Sequence, residues 1–337
     1  MSDHPNSPLH PAFAALSVPI NDNGTSAANN FIAPLSHYGF LAIAGADAAK
    51  FLQGQTTCDV SKVDAALSCA GAYTTPKGRM ISSFQLTQSD AETYLLRMRA
   101  DIVESTKAVF GKYIVFSKAE QQNASEDYIA IGLCGDQAKA AVSNAFAACP
   151  CEVHQVVNHQ GNLALQIDED GKLFECWIKT SELAVFWPRL SQGLELQSSR
   201  HWELKLIRLG LAEVSANTVD RFIPQMLNYQ ITGAVNFTKG CYTGQEVVAR
   251  MQYKGKLKRP MYRIKVAAQD LTPGTDLYST GEQSVGNIVN SVNLDNTHSE
   301  ALAVITSKEV EQGTVVVGTD RATIEVLSLP YAITNND

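Results

Sequence analysis

Apolar and polar positions in the first third of the chain fall into short runs with clear punctuation. Residues 40–44 form a continuous apolar run of strand length. Gly45-Ala46-Asp47 follows, and Asp47 predicts an N-cap for a short helix through Phe51 and Leu52 that stops at Gly54. Residues 70–75 and 80–87 read as strands joined by a turn at Pro76-Lys77-Gly78-Arg79, and residues 94–99 as a third strand. Asp101 predicts a cap for a helix to about Lys112, with a strand returning over 114–117.

A second unit starts near Tyr128. Residues 128–133 are strand-like, and 136–147 form an alanine-rich helix with Ala138, Val142 and Phe146 on one face. Two or three strands follow between Val153 and Lys179, then a helix from about Ser181 that Pro188 should end or kink. Trp202, Leu206 and Leu209 recur at i, i+4 and i+7, which predicts an amphipathic helix ending at Gly210. Residues 221–229 mix polar and apolar side chains without a period and read as a loop able to carry binding groups. After Pro260 come short strands at 261–266, 276–279, 285–293, 301–306, 314–317 and 323–327, spaced as in a small barrel or sandwich. Interleaved strands, hairpins and helices indicate an α+β fold. Residues 1–33, rich in Pro, Asn, Ser and Ala, read as a mobile tail.

The 337 residues suffice for two or three domains with their own cores, and 45% hydrophobic with 18% charged residues is an ordinary soluble composition. A net charge of −7 argues against a surface coated in basic residues, while leaving room for one basic stripe. Seven cysteines without regular spacing imply neither a disulfide framework nor a zinc quartet, and no metal site is expected. No leader pattern or membrane-spanning run is present, so the expected location is the reduced cytoplasm, with no membrane partner.

The densest chemistry lies in Lys239-Gly240-Cys241-Tyr242-Thr243-Gly244-Gln245-Glu246. Thr243 and Glu246 have the spacing of a capping box, which predicts a helix from there to about Gly255. Cys241 would precede its first turn, beside Lys239 and near the positive end of the helix dipole, and both features favour thiolate over thiol. Gly240 and Gly244 permit unusual backbone angles and close approach of a ligand. The local pattern also fits a plain helix start holding a small buried cysteine. Positive charge gathers at Lys77 and Arg79, and again at Arg250, Lys254, Lys256, Lys258 and Arg259. These residues form either a solvated face or a contact for a polyanion, such as RNA phosphates or the glutamate tail of a folate.

The octet resembles the signature of the YgfZ family, folate-binding proteins related in fold to the glycine-cleavage T-protein, an aminomethyltransferase. The resemblance extends to Phe222-Ile223-Pro224-Gln225, to Gly45-Ala46-Asp47 with Phe51-Leu52-Gln53-Gly54-Gln55, to Pro76-Lys77-Gly78-Arg79 and to Leu329-Pro330-Tyr331. It implies a three-domain ring with a central channel and a C-terminal β-barrel. The corresponding division is 34–125 with 195–258 as a folate-binding domain, 126–194 as a second α+β domain and 259–337 as the barrel. It implies binding of tetrahydrofolate or a one-carbon derivative. It also implies a role in maintaining iron–sulfur proteins, including enzymes that thiolate tRNA.

Tyr38 and Trp202 fall where the family has aromatic residues near folate, with Tyr38 replacing a Trp. Gln225, Asn228, Gln245 and Glu246 join them as candidate cofactor contacts, and Cys241 and Lys239 are the candidate catalytic pair. The aspartate used by the aminomethyltransferase has no counterpart in Thr74-Thr75-Pro76, and Arg208 stands where a Glu is expected. Three readings follow. The favoured one is a folate-dependent accessory factor with a reactive Cys241. The others are a one-carbon transferase and a non-catalytic binding module with a structural Cys241.

Overall fold

The computed structural model describes residues 11–14 and 29–333. A short turn of helix, α1 (Pro11–Ala14), precedes β1 (Phe31–Pro34), β2 (Tyr38–Ala44), α2 (Ala48–Gln55), β3 (Cys69–Thr74), β4 (Met80–Asp90), β5 (Thr93–Arg99), α3 (Val103–Ile114) and β6 (Glu120–Asn123). The first sheet has the order β3-β4-β5-β2-β6 and is antiparallel throughout. β4 explains its construction. Met80, Phe84 and Leu86 alternate with Ser83, Gln85 and Thr87, so one face enters the helix-covered core while the polar face turns inward to a neighbouring sheet. Ala70, Gln85, Arg97 and Phe40 stand opposite one another across β3, β4, β5 and β2.

The expected mobile tail gives way at Phe31. β1 pairs with a strand from another unit and buries Phe31, Ile32 and Ala33 completely, and Phe13 of α1 is likewise buried. The other residues of that stretch, apart from Pro11–Ala14 and residues 29–30, lie outside the described ones. The strand expected at 114–117 is instead the end of α3 and a turn, because Phe116 and Ser117 donate backwards to Tyr113 and Ile114.

β7 (Tyr128–Cys134), α4 (Ala138–Phe146), β8 (Val156–His159), β9 (Asn162–Gln166), β10 (Leu173–Lys179), α5 (Leu183–Leu190) and β11 (Glu195–Leu196) follow. They build a sheet of order β11-β1-β7-β10-β9-β8. Pro188 lies inside α5, which ends two residues later at Leu190. α6 (Ser199–Leu209) then wedges between the sheets, with Trp202 and Leu206 in one core and Leu204 and Ile207 in another. It ends at Gly210, whose φ of 67° is the left-handed C-cap expected there.

After α7 (Gln245–Lys254), the strands β12 (Met261–Val266), β13 (Asp276–Tyr278), β14 (Ser284–Asn293) and β15 (Ser299–Ile305), helix α8 (Ser307–Gln312), and strands β16 (Val316–Val317) and β17 (Ala322–Leu327) complete the described chain. The strands close as β12-β15-β14-β13-β16-β17, which settles barrel over sandwich. Among the described residues no helix is long and apolar enough to cross a membrane, and no cluster of three or more His, Cys, Asp or Glu could hold a metal.

Candidate functional site

A cavity of about 480 Å³ lies where the two sheets, α6 and the C-terminal segment meet. That is within the usual range for a small-molecule site. Register supplies its floor: Ala70, Gln85 and Arg97 are one cross-strand row, and Ser83 lies two residues along β4 from Gln85. The second sheet contributes His154 and the 167–170 turn, and the segment after α6 contributes Glu213. Tyr229 and Tyr331 add aromatic walls. Tyr331 is held by donating to the carbonyl of Gly210 at 2.8 Å, and it lines the cavity together with Pro330.

Arg97 is the electrostatic centre. Its Nε and Nη2 donate to the two carboxylate oxygens of Glu175 at 2.7 and 2.9 Å, and Nη1 donates to Glu213. Burial opposes the guanidinium charge, but Glu175, Tyr38 and Glu213 outweigh it and raise the Arg97 pKa further. Burial likewise raises Glu175 against the pull of Arg97. Tyr38 donates to Glu213 at 2.9 Å and lies under Arg97, 3.9 Å from guanidinium carbon to ring centre. Its ring is therefore already occupied by a cation. Burial lowers the pKa of His154, whose Nδ1 lies 3.3 Å from Gln85 Nε2.

The sequence-based site residues do not gather here. Trp202 is 0% exposed and covers Gly132 of β7, where any Cβ would overlap the indole, so it is a core residue with no free face for a ligand. Gln225 is buried and donates to the Val248 carbonyl at 2.7 Å, and Asn228, at φ 59°, donates to the Met261 carbonyl at 3.0 Å. Both secure the loop to its neighbours. Gln245 and Glu246 lie in the first turn of α7, away from the cavity lining. Glu213, Arg97, Gln85 and His154 were missed because they carry no motif. The one available signal was the polar alternation of β4.

The octet has a different geometry from the capping-box expectation. The N-cap of α7 is Gly244 at φ 82°, with no side-chain cap, because Thr243 Oγ1 is directed to Gln55 Oε1 at 3.4 Å. Gly244 is required there: a Cβ would collide with the Thr75 carbonyl and with Thr74 Oγ1. Gly240 has open space around it and no such requirement. The Lys239 side chain is committed to backbone partners. Its ammonium donates to the carbonyls of Gln53, Thr56 and Cys58 at 2.7, 2.6 and 2.7 Å, satisfying the C-terminal end of α2. Lys239 thus serves the backbone in this structure, and burial lowers its pKa. Cys241 is exposed, and none of residues 239–246 lines the cavity.

Basic residues divide similarly. Gly78 packs against Val247, so Lys77 at the tip of the β3–β4 hairpin stands beside the face of α7, where Arg250 and Lys254 are exposed. Arg79 is tied to the carbonyl of Arg221. Arg259 donates to Thr306 Oγ1 at 3.1 Å and anchors the barrel, while Lys256 and Lys258 are exposed. Arg208, in place of the expected Glu, reaches Glu300 of β15 at 3.3 Å, where Arg263 also donates at 2.6 Å. Arg208 does not line the cavity, whose acidic residues are Glu213 and, in the 167–170 turn, Asp168, Glu169 and Asp170.

No family model matches the chain. It is 30% identical over 304 residues, 89% of its own length and 92% of the relative's, to the tRNA-modifying protein YgfZ of Escherichia coli O127:H6. The same identity and coverage hold for the tRNA-modifying protein YgfZ of Shigella boydii serotype 4. Among solved structures, the glycine cleavage system aminomethyltransferase T of Bartonella henselae superposes with a TM-score of 0.72 at 16% identity, covering 91% of this chain and 88% of that one. This likeness shows the T-protein-like fold.

Proposed function

The chain belongs to the YgfZ family of tRNA-modifying proteins, and on that footing we propose that it is a tetrahydrofolate-binding accessory protein of tRNA modification. Its part in tRNA modification follows from its relatives. The folate reading rests on one observation, the 480 Å³ cavity floored by Gln85 and Arg97 and faced by Glu213. These residues fit a pterin: a carboxylate suits its amino and amide N–H edge, Gln85 offers a donor and an acceptor, and Tyr229 and Tyr331 offer aromatic surface. Tetrahydrofolate would supply a one-carbon carrier. Tyr38 and Arg97 each donate to the Glu213 carboxylate and so hold it in one orientation. Titration calorimetry with tetrahydrofolate tests this. Glu213→Gln should weaken binding by about 1.5–3 kcal/mol, the range for a hydrogen bond to a charged group. Unchanged affinity would remove the cavity from the reading.

Aminomethyl transfer, the activity of the fold neighbour, is less well supported. Thr74 stands in the segment where that enzyme has its aspartate, and its hydroxyl donates to the Thr243 carbonyl at 2.5 Å, joining the hairpin to the octet loop. We extend the accessory role to iron–sulfur enzymes that thiolate tRNA, with Cys241 as the exposed thiol that meets the client. Cells carrying Cys241→Ala should lose iron–sulfur-dependent tRNA thiolation while the purified variant still binds folate. Full thiolation would make Cys241 structural. RNA contact, if direct, falls on Lys77, Arg250 and Lys254. Neutralising them should flatten the salt dependence of tRNA binding, by roughly one unit of log–log slope per phosphate contact.

A further inference from the structure

Two other cysteines lie close to the segment that anchors Lys239. An antiparallel bridge pairs Thr56 with Tyr73, and Thr57 N–H donates to the Ala72 carbonyl at 2.9 Å. In that register Cys58 falls beside Gly71 and diagonal to Cys69, which lies on the same strand face. Gly71 makes room for the thiol, since a Cβ there would sit 2.6 Å from Cys58 Sγ. The two thiols are close enough for each to shift the other's ionisation. Thr56 Oγ1 lies 3.5 Å from Cys58 Sγ, and the Lys239 ammonium lies 2.7 Å from the Cys58 carbonyl oxygen. Cys58 is 2% exposed, whereas Cys69 is half-buried, so the pair opens outward through Cys69.

We propose that Cys58 and Cys69 are a redox-reactive thiol pair that hydrogen peroxide closes into a disulfide, and that closure disturbs the support of the Cys241 loop. The influence of Cys69, helped by Thr56 and Lys239, outweighs burial and lowers the Cys58 pKa. Cys58 in turn, with burial, raises that of Cys69. Cys58 is therefore the attacking sulfur. Its thiolate attacks one peroxide oxygen, the O–O bond breaks, and hydroxide leaves to become water, which gives a sulfenic acid at Cys58. Cys69 then gives up its proton and attacks the Cys58 sulfur. The S–O bond breaks and a second water leaves. Two thiols lose two electrons and one peroxide gains them. The new bond draws Cys58 toward β3, and its carbonyl is one of the three that hold Lys239, two residues before Cys241.

The test uses the full chain, treated with hydrogen peroxide, alkylated under denaturing conditions and digested with trypsin. Cleavage after Lys62 separates the two cysteines, so the disulfide joins peptides 51–62 and 63–77 at about 2 Da below the sum of their reduced masses. That linked pair is the expected product. Cys69→Ser should stop at a Cys58 sulfenic acid that dimedone captures. Recovery of alkylated Cys58 while Cys151 or Cys241 is oxidised would overturn the proposal, as would Cys58 linked elsewhere. These readouts from the unsubstituted protein stand even if Cys69→Ser fails to fold. Iodoacetamide should label Cys241 severalfold faster in the oxidised protein, and an unchanged rate would overturn the coupling to the loop.

Discussion

Arg97 of β5 and Glu175 of β10 form a two-pronged ion pair, at 2.7 and 2.9 Å, that joins the first sheet to the second. Both side chains are almost wholly withdrawn from solvent, and Trp177 Nε1 donates to the same carboxylate at 2.7 Å. A buried pair of this kind is costly to break from one side, because the remaining charge has no partner. Arg97→Met should therefore destabilise the protein by about 3–5 kcal/mol, measured by urea unfolding. Arg97→Met with Glu175→Gln should recover part of that loss. A double variant no better than the single one would show that the pair acts through packing alone.

Trp202→Ala separates a core role from a ligand-facing one. Its indole fills the space over Gly132, so truncation should cost about 3–5 kcal/mol of stability. Folate affinity of the folded fraction should stay within a factor of two or so of the parent, since the side chain does not line the cavity. A stable variant that has lost folate affinity would return Trp202 to the binding site.

Lys239→Met keeps the length of the side chain and removes its three donors. The carbonyls of Gln53, Thr56 and Cys58 would lose their partner, at a cost of about 2–4 kcal/mol by denaturant melting. If Lys239 were instead a catalytic group, stability would hold and tRNA thiolation alone would fail.

Acid sensitivity has a predictable sign. Burial, then Arg99 and Arg97, press the pKa of His37 well below its ordinary value, and burial also lowers that of His154. Below about pH 6.5 the unfolded chain binds protons at these positions and the folded one does not, so stability falls as pH drops from 7 toward 5.5. Glu175 and Glu203, raised by burial, have the opposite sign and act at lower pH, where protonation favours the folded state. The urea midpoint of His37→Gln should therefore depend less on pH between 5.5 and 7 than that of the parent. An unchanged slope would assign the effect to other groups.

Local sequence determined a good deal. Alternation over 80–87 and 94–99, the turn at Pro76-Lys77-Gly78-Arg79 and the spacing of short segments after Pro260 specify the hairpins and the barrel strands, because strand period and turn chemistry are local properties. Gly210 could be read as a helix stop for the same reason. The octet identified the family as a string of residues, without needing its geometry.

What the tertiary structure decided is where those side chains are directed. Lys239 sits two residues from Cys241 in the chain, yet its ammonium answers three carbonyls around the end of α2, because buried backbone oxygens need donors and a lysine can supply three. Thr243 and Glu246 have capping-box spacing, but Gly244 takes the cap, since the chain must turn tightly against Thr75 there. The cavity is assembled from Gln85, Arg97, His154, Glu213 and Tyr331, which no periodicity relates. Arg97 meets partners 78 and 116 residues away, and only the register between strands and the packing of sheet on sheet bring them together. Short-range pattern specified the elements of this protein. Its polar centre exists only after long-range pairing has removed those charges from water.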